Sequence, residues 1–235
     1  MFDGKTKALT FSYDDAVTQD QRLIALFNKY DMKATFNLNS GLLGTPGSLV
    51  REDVTVAHVK PRPCEIARIY EGHEVAAHTL THPNLPSLPD EEVVRQVEED
   101  RRALSALVGY EVVGMAYPGG GRPLYDERVK ELIARNTGIR YARTTTSTHD
   151  FLPQTDLLAF QPSVHHHTEW DELFRLGEEF LRLQTDEPRV YYVWGHAYEF
   201  DIGNTWDRFE EFLRLMAGRE DIAYLTNRQA LLGMQ

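Results

Sequence analysis

Short apolar segments alternate with amphipathic ones along most of the chain, as strands and helices do in α/β proteins. Apolar and polar residues alternate over residues 33–39, which indicates a strand, whereas apolar residues recur at helical spacing over 18–30. The same patterns predict strands at 8–13, 33–39, 74–77, 112–117, 139–143, 157–162, 189–194 and 222–225. They predict helices at 18–30, 64–70, 89–108, 126–135, 169–183 and 206–217, and a terminal helix from 227.

Strand–helix alternation over the whole length predicts a parallel sheet. Seven or eight such units in 235 residues favour a single-domain (β/α) barrel spanning 1–235, with a doubly wound open sheet as the alternative. Residues 41–63 contain three prolines and three glycines and little periodicity. We interpret this segment as a long surface excursion rather than a domain linker, because strand and helix signals continue on both sides.

Polar clusters follow several of the predicted strands. In such folds the reactive groups lie just after the carboxyl ends of the strands. Asp14 and Asp15 follow the first strand, a histidine-containing segment at 78–82 follows the third, and His196 ends the strand before residue 199. A glycine-rich segment at 116–121 follows the fourth strand. We therefore expect these four clusters to share one site.

His78 and His82 are four residues apart, so one helical turn would place both imidazoles on the same face. Two histidines and one carboxylate, with Asp15 as the natural third ligand, suit a catalytic divalent metal. The absence of a glutamate directly after His78 excludes the zincin helix motif. The alternative is that the two histidines cap local backbone or pack under a loop.

The remaining polar groups are suited to proton transfer and to anion binding beside such a metal. Asp14 can accept a proton while its neighbour binds metal, although aspartates are also common in turns. The imidazole of His196 suits a general acid, although a lone histidine is often a core residue. Backbone N–H groups around Tyr117 and Gly119 can form an oxyanion site, although a tight turn would have the same composition.

Composition and charge narrow the choice of partners. The chain has 25 Lys and Arg against 36 Asp and Glu, a net charge of −11, which argues against nucleic acid or an anionic membrane as partner. The single cysteine, Cys64, excludes an internal disulfide framework. The sequence has no recognisable signal peptide or membrane span, so we expect a cytoplasmic protein, with a secreted mature form as the alternative.

Four segments together resemble the polysaccharide deacetylase (NodB-homology) family, carbohydrate esterase family 4. They are TFSYDDA at 10–16, HTLTHP at 78–83, YPGG at 117–120 and WGH at 194–196. The blocks occur in the family's order over residues 7–199. The resemblance implies a distorted, incomplete (β/α) barrel of seven or eight units. It also implies metal-dependent hydrolysis of an N-acetyl, sometimes an O-acetyl, group.

The resemblance also implies a role for each matching residue. Asp14 corresponds to the general base, and His196 to the histidine that protonates the leaving amine. The metal ligands correspond to Asp15, His78 and His82, and the oxyanion donor to the backbone N–H near Gly119, in the block that Tyr117 begins. Zinc is the first expectation for the one divalent ion, with cobalt, nickel and manganese as alternatives.

Two departures from the family pattern concern the base and the substrate. Many members carry an arginine that orients the base at the position of Ala116, and we predict that Arg143 replaces it by pairing with Asp14. A block with Asp and Trp is replaced at 164–170 by a segment with three consecutive histidines, 165–167, which are either substrate contacts or chance. Tyr198 and Glu199 are candidate sugar contacts.

We therefore predict a hydrolase of carbohydrate metabolism that removes an N-acetyl group from a sugar or polysaccharide, acting on a carbon–nitrogen bond other than a peptide bond. One alternative is an amidase or deformylase acting on a small non-carbohydrate amide. The other is a catalytically silent carbohydrate-binding barrel. The exact substrate, the acyl group, the metal and the oligomeric state stay open at this point.

Overall fold

A computed structural model describes residues 1–2, 4–120 and 123–233, and over these residues the chain forms an α/β fold. Gly121, the last residue of the predicted glycine-rich segment, lies outside the described residues. The strands are β1 Lys7–Asp14, β2 Thr35–Leu38, β3 Ser48–Arg51, β4 Val54–Ala57, β5 Glu74–Ala77, β6 Gly114–Ala116, β7 Tyr141–Arg143, β8 Val164–His165, β9 Arg189–His196 and β10 Ile222–Leu225. The α-helices are α1 Asp20–Lys29, α2 Ile66–Ile69, α3 Asp90–Val108, α4 Glu127–Asn136, α5 Trp170–Arg182, α6 Glu199–Gly203, α7 Trp206–Met216 and α8 Asn227–Leu232.

The main sheet is parallel and has the order β7-β6-β5-β2-β1-β9-β8, with β10 paired to the first half of β1. All eight residues of β1 are buried, as expected for a central strand covered on both faces. Pro89 and Gly109 flank α3 as predicted, and Gly109 adopts a left-handed φ of 77° that ends the helix. The predicted α/β barrel with a parallel sheet is confirmed.

The barrel closes irregularly between β7 and β9. Phe160 forms a parallel bridge with Arg143 of β7, and the chain then runs on to β8, which pairs with β9. The strand predicted at 157–162 is wrong, because Leu157–Ala159 is a short 3-10 helix and the strand begins only at Val164. The Asp156 side chain accepts a hydrogen bond from the Leu158 N–H, and this local turn competes with an extended backbone.

The excursion at 41–63 contains a β-hairpin that the sequence pattern did not predict. Strands β3 and β4 pair antiparallel, and the turn residues Glu52 and Asp53 both have positive φ, 51° and 61°. Such turns usually contain Asn and Gly, so the Glu-Asp pair gave no hairpin signal. The hairpin extends to the carboxyl ends of the central strands, where the polar clusters lie.

Within the described residues, no helix has both the length and the apolar character needed to cross a bilayer.

Candidate active site

The four polar clusters converge on one cavity of about 670 Å³ at the carboxyl ends of the parallel strands. Among the residues that line it are Asp15, His82, Gly119, His165, His167, Trp194, His196, Tyr198 and Glu199. The hairpin contributes Arg51 and Glu52 to the same cavity. The position agrees with the rule that reactive groups in these folds follow the strand ends.

Asp15, His78 and His82 form the candidate metal centre. Their ligand atoms all lie within 4.8 Å of one another, and Asp15 Oδ1 is 3.8 Å from His78 Nε2 and 3.9 Å from His82 Nε2. Ligands of a tetrahedral zinc ion at normal bond lengths lie about 3.3–3.4 Å apart, so a small contraction would accommodate an ion. The donor set and its spacing therefore fit a divalent metal.

The two histidines do not lie on a helical turn, and that prediction is wrong. Residues 78–82 form a bent loop in which Thr79 and His82 have positive φ, 68° and 58°. The rings nevertheless approach to 4.8 Å between centroids. The four-residue spacing thus brings both imidazoles together through a loop rather than a helix.

Buried His78 is oriented by a backbone carbonyl. Its Nδ1 lies 2.8 Å from the carbonyl oxygen of Ala116, which requires the proton on Nδ1 and leaves Nε2 unprotonated for a ligand. Burial lowers the pKa of His78 to about 4, although the nearby Asp14 and Asp15 carboxylates act in the opposite direction. A neutral imidazole with a free Nε2 is the form that binds metal.

The backbone of Asp15 adopts an uncommon conformation, and two residues of the excursion support it. Asp15 and Ala16 have φ of 82° and 52°. The Lys60 ammonium donates to the carbonyl oxygen of Asp15, and His58 Nε2 lies 3.2 Å from Asp15 Oδ2. Burial raises the pKa of Asp15, but His58 and the surrounding cationic groups hold it well below its usual value. The carboxylate is therefore ionised at neutral pH.

Asp14 is held by two donors on opposite oxygens. Asn37 Nδ2 donates to Oδ1 at 2.8 Å, and Arg143 Nη2 donates to Oδ2 at 2.5 Å. Burial alone raises the pKa of Asp14. The nearby Arg143, His78 and His196 lower this pKa by more than burial raises it, so the pKa of Asp14 lies below its usual value. Asp14 is thus a buried, ionised carboxylate 3.9 Å from the Nε2 atom of His78.

The side chain of Arg143 is fully buried and pairs with Asp14, the partner expected from the sequence. The guanidinium lies 4.3 Å from the Trp194 ring and donates to the Thr144 carbonyl at 2.9 Å, besides pairing with Asp14. Ala116 and Arg143 are register partners on β6 and β7. An arginine on β7 therefore enters the site at the same level as one on β6 would.

His196 faces the other side of the cavity, in register with Asp14 on the adjacent strand. Glu199 binds it twice, through Nδ1 at 3.1 Å and through its backbone N–H at 2.8 Å. Burial lowers the pKa of His196, but the carboxylates around it, Glu199 above all, raise it to about 9. The imidazole is therefore a proton donor at neutral pH.

His165, His196 and Glu199 form a second group of three ligand atoms within 4.8 Å of one another. His165 Nε2 lies 3.5 Å from a Glu199 oxygen. Burial raises the pKa of Glu199, but His196 and His165 lower it well below its usual value. We interpret the group as an anion between two imidazoles, because the Nδ1 atom of His196 is already directed at the carboxylate.

The glycine-rich loop brings Gly119 to the cavity but not Tyr117. Tyr117 donates its backbone N–H to the carbonyl of Arg143 at 3.0 Å and its hydroxyl to the carbonyl of Leu158 at 2.9 Å. Both donors are therefore engaged away from the cavity. Gly119, with φ of 117°, lines the cavity, so its backbone N–H stays the candidate oxyanion donor.

The three consecutive histidines have different surroundings. His165 and His167 line the cavity, and His167 Nε2 lies 3.0 Å from Glu52 at the hairpin tip. His166 is fully buried and stacks on Phe200 at 4.2 Å, and burial lowers its pKa well below the usual value. His166 is therefore a neutral core residue, whereas its neighbours line the cavity.

Several residues at this site were not assigned these contacts by the sequence analysis. Asn37, His58 and Lys60 approach from distant segments, and Glu199 was considered only as a sugar contact. The three-residue spacing of His196 and Glu199 was a usable signal for their contact. The sequence analysis gave no signal for His58, because it interpreted the excursion as irregular and did not predict β4, which ends just before this residue.

Comparisons with known proteins agree with this architecture. A profile of the polysaccharide deacetylase family matches residues 2–142, more than half of the chain. A peptidoglycan-N-acetylglucosamine deacetylase of Listeria monocytogenes is 26% identical over 149 residues, which are 63% of this chain and 27% of that protein. A chitooligosaccharide deacetylase of Sinorhizobium fredii is 49% identical over 49 residues, which are 20% of this chain and 23% of that protein.

Among solved structures, a T48 deacetylase with substrate has a TM-score of 0.60 at 15% identity, covering 98% of this chain and 93% of that one. At this identity, the likeness concerns the fold. The chain spans about a quarter of the length of the curated relatives it matches. On the strength of the family match, the chain belongs to the polysaccharide deacetylase family.

Proposed function

We propose that this protein hydrolyses an N-acetyl group on a sugar or polysaccharide in a metal-dependent reaction. The observation that carries the proposal is the juxtaposition of an ionised Asp14, the Asp15–His78–His82 triad and a protonated His196. These are the base, the metal centre and the acid that amide hydrolysis requires. The names of the matched relatives support an N-acetylated glycan as the substrate class.

The triad Asp15, His78 and His82 would hold the ion, with zinc as the first candidate. Such an ion supplies Lewis acidity, which polarises an acyl carbonyl and makes water easier to deprotonate. The neutral His78 and the ionised Asp15 are already in the protonation states that binding needs.

Asp14 and His196 would divide the proton transfers. Asp14 takes a proton from the attacking water while the oxygen of that water bonds to the acyl carbon. The N–H of Gly119 stabilises the negative charge that develops on the carbonyl oxygen. His196 then gives its proton to the nitrogen as the carbon–nitrogen bond breaks, so that acetate and a free amine leave.

The test of this function is acetate release from a panel of N-acetylated sugars and chitooligosaccharides, with and without chelator and added divalent metal. We expect chelator-sensitive release that added metal restores. If the protein binds metal but releases acetate from none of the sugars, small linear amides should be assayed next. Turnover of those amides alone would contradict the carbohydrate substrate and support an amidase.

His78→Ala is expected to remove the bound metal, because the fixed Nε2 donor is lost. Metal content should fall from about one ion per chain to a small fraction of that value. Elemental analysis after dialysis against added zinc measures the change. His149→Ala is the matched control, because His149 lines the same cavity but pairs with Glu169. Unchanged metal content in His78→Ala would contradict the ligand assignment.

Glu199→Gln is expected to move the alkaline limit of activity to lower pH. His196 is active when protonated, so activity is present below its pKa and is lost as the pH rises through it. Removing the Glu199 charge lowers that pKa, and the alkaline limb should shift downward by about 1–3 pH units. The pH profile of kcat measures the shift.

Glu169→Gln is the control for this shift, since its carboxylate pairs with His149 and Ser147. If the alkaline limb of the pH profile stays in place in Glu199→Gln, the Glu199 charge does not set the pKa of His196, and the prediction is wrong.

A further inference from the structure

His58, in the excursion, contacts the side-chain carboxylate of Asp15 in the candidate metal centre. Its Nε2 atom lies 3.2 Å from Oδ2 of Asp15, whereas the other oxygen, Oδ1, faces His78 and His82 at 3.8 and 3.9 Å. The two oxygens of one carboxylate are thus divided between His58 on one side and the two ligand imidazoles on the other.

The segment that carries His58 is fixed to the loop that carries Asp15. The Thr18 N–H donates to the Val59 carbonyl at 2.9 Å, and the Lys60 ammonium donates to the Asp15 carbonyl. The His58 N–H itself donates to the Gly47 carbonyl at 2.9 Å. Because these bonds fix the backbone around His58, its imidazole has a defined direction toward Asp15.

The imidazole is also confined on its open side. The side chain of His58 is 25% exposed, and its ring meets the Tyr198 ring edge to face at 5.3 Å. Tyr198 is itself buried and follows the end of β9. The ring of His58 is therefore held between the hairpin, Asp15 and the β9 end of the cavity.

We propose that His58 is a positioning residue for the metal centre, which donates its Nε2–H to Oδ2 of Asp15 and thereby directs Oδ1 toward the ion. The inference rests on the metal centre of the proposed function. Hydrogen bonds to a ligating group fix its orientation, and their loss typically costs 10- to 100-fold in metal affinity.

The surroundings favour a donor rather than a fourth ligand. Lys60 Nζ lies 3.4 Å from His58 Nε2, and a divalent ion bound at that nitrogen would lie beside the ammonium charge. Oδ2 of Asp15 instead provides a negative partner for an N–H at His58 Nε2, whereas Lys60 donates to the backbone carbonyl of Asp15. The close group of ligand atoms around Asp15 is completed by His78 and His82.

The experiment compares zinc dissociation constants of the full chain, measured by competition with a chromogenic chelator. The variants are His58→Ala, which removes the donor, and His58→Gln, whose amide nitrogen can reach a similar place. Thr55→Ala is the matched control, because Thr55 is an exposed residue of the same hairpin. Thermal unfolding of the metal-free proteins shows that each variant is folded.

We expect zinc affinity to fall by about 10- to 100-fold in His58→Ala and to recover to within a few-fold of the parent protein in His58→Gln. Wild-type affinity in His58→Ala would overturn the proposal, and so would a glutamine variant as weak as the alanine variant. A parent protein that binds no zinc, cobalt, nickel or manganese would instead overturn the metal centre itself, and the positioning role with it.

Discussion

Replacing Asp14 by asparagine is expected to slow deacetylation by about 10²- to 10⁴-fold while the metal stays bound. The amide of asparagine cannot accept the proton of the attacking water, whereas Asp15, His78 and His82 are unchanged. Turnover of the best acetylated sugar and the metal content of the same sample give the two quantities. Loss of turnover with full metal content distinguishes a base from a ligand.

Stability has to be measured beside activity, because the Asp14→Asn substitution leaves the buried Arg143 without a counter-charge. Removing one partner of a buried ion pair commonly costs about 3–5 kcal/mol. We therefore expect a lower melting temperature, and the assay should be run well below it. Asp31→Asn is the control, since Asp31 is exposed at the end of α1 and asparagine tolerates its φ of 54°. Full activity in Asp14→Asn would remove Asp14 from the mechanism.

Moving the arginine from position 143 on β7 to position 116 on β6 is expected to preserve part of the activity. Arg143→Ala should lower kcat by about 10²-fold, because Asp14 loses one of the two donors that orient it and its only cationic hydrogen-bond partner among the described residues. The double variant Ala116→Arg/Arg143→Ala should recover at least about tenfold of that loss. The reason is the register, since positions 116 and 143 are paired across β6 and β7.

The single variants separate orientation from packing. Ala116 is fully buried, so Ala116→Arg alone adds a large side chain beside Arg143 and should destabilise the protein. The double variant exchanges the two side chains and keeps both volume and charge. Arg140→Ala, at an exposed position just before β7, controls for the loss of an arginine as such. A double variant as inactive as Arg143→Ala would contradict the shared role.

The sequence predicted those features that depend on local pattern. The apolar run of β1 and the flanking Pro89 and Gly109 of α3 are local signals, and both elements lie where predicted. The convergence of Asp15, His78 and His82 followed from the general rule that strand ends share one edge. The pairing of Arg143 with Asp14 was a hypothesis from the family resemblance, which implies an arginine at the position that Ala116 occupies here.

The features missed depend on contacts between distant segments or on local competition. His58 reaches Asp15 across 43 residues of sequence, and Asn37 reaches Asp14 across 23. The hairpin turn at Glu52 lacks the residues that mark such turns, and at 157–162 an aspartate-capped turn overrode strand-forming residues. The spacing of His78 and His82 was informative, but periodicity alone could not distinguish a helical turn from a bent loop.

The register between Ala116 and Arg143 has a consequence for how relatives of this chain are recognised. A position-by-position alignment would score the alanine at 116 as the loss of a functional residue and would place this chain among degenerate members. A criterion that asks for one arginine in either of the two paired columns would retain it. Two kinds of relative would then be informative exceptions. Chains with arginine in neither column lack the cation beside the base. Chains with arginine in both columns must accommodate two large side chains at one level of the barrel.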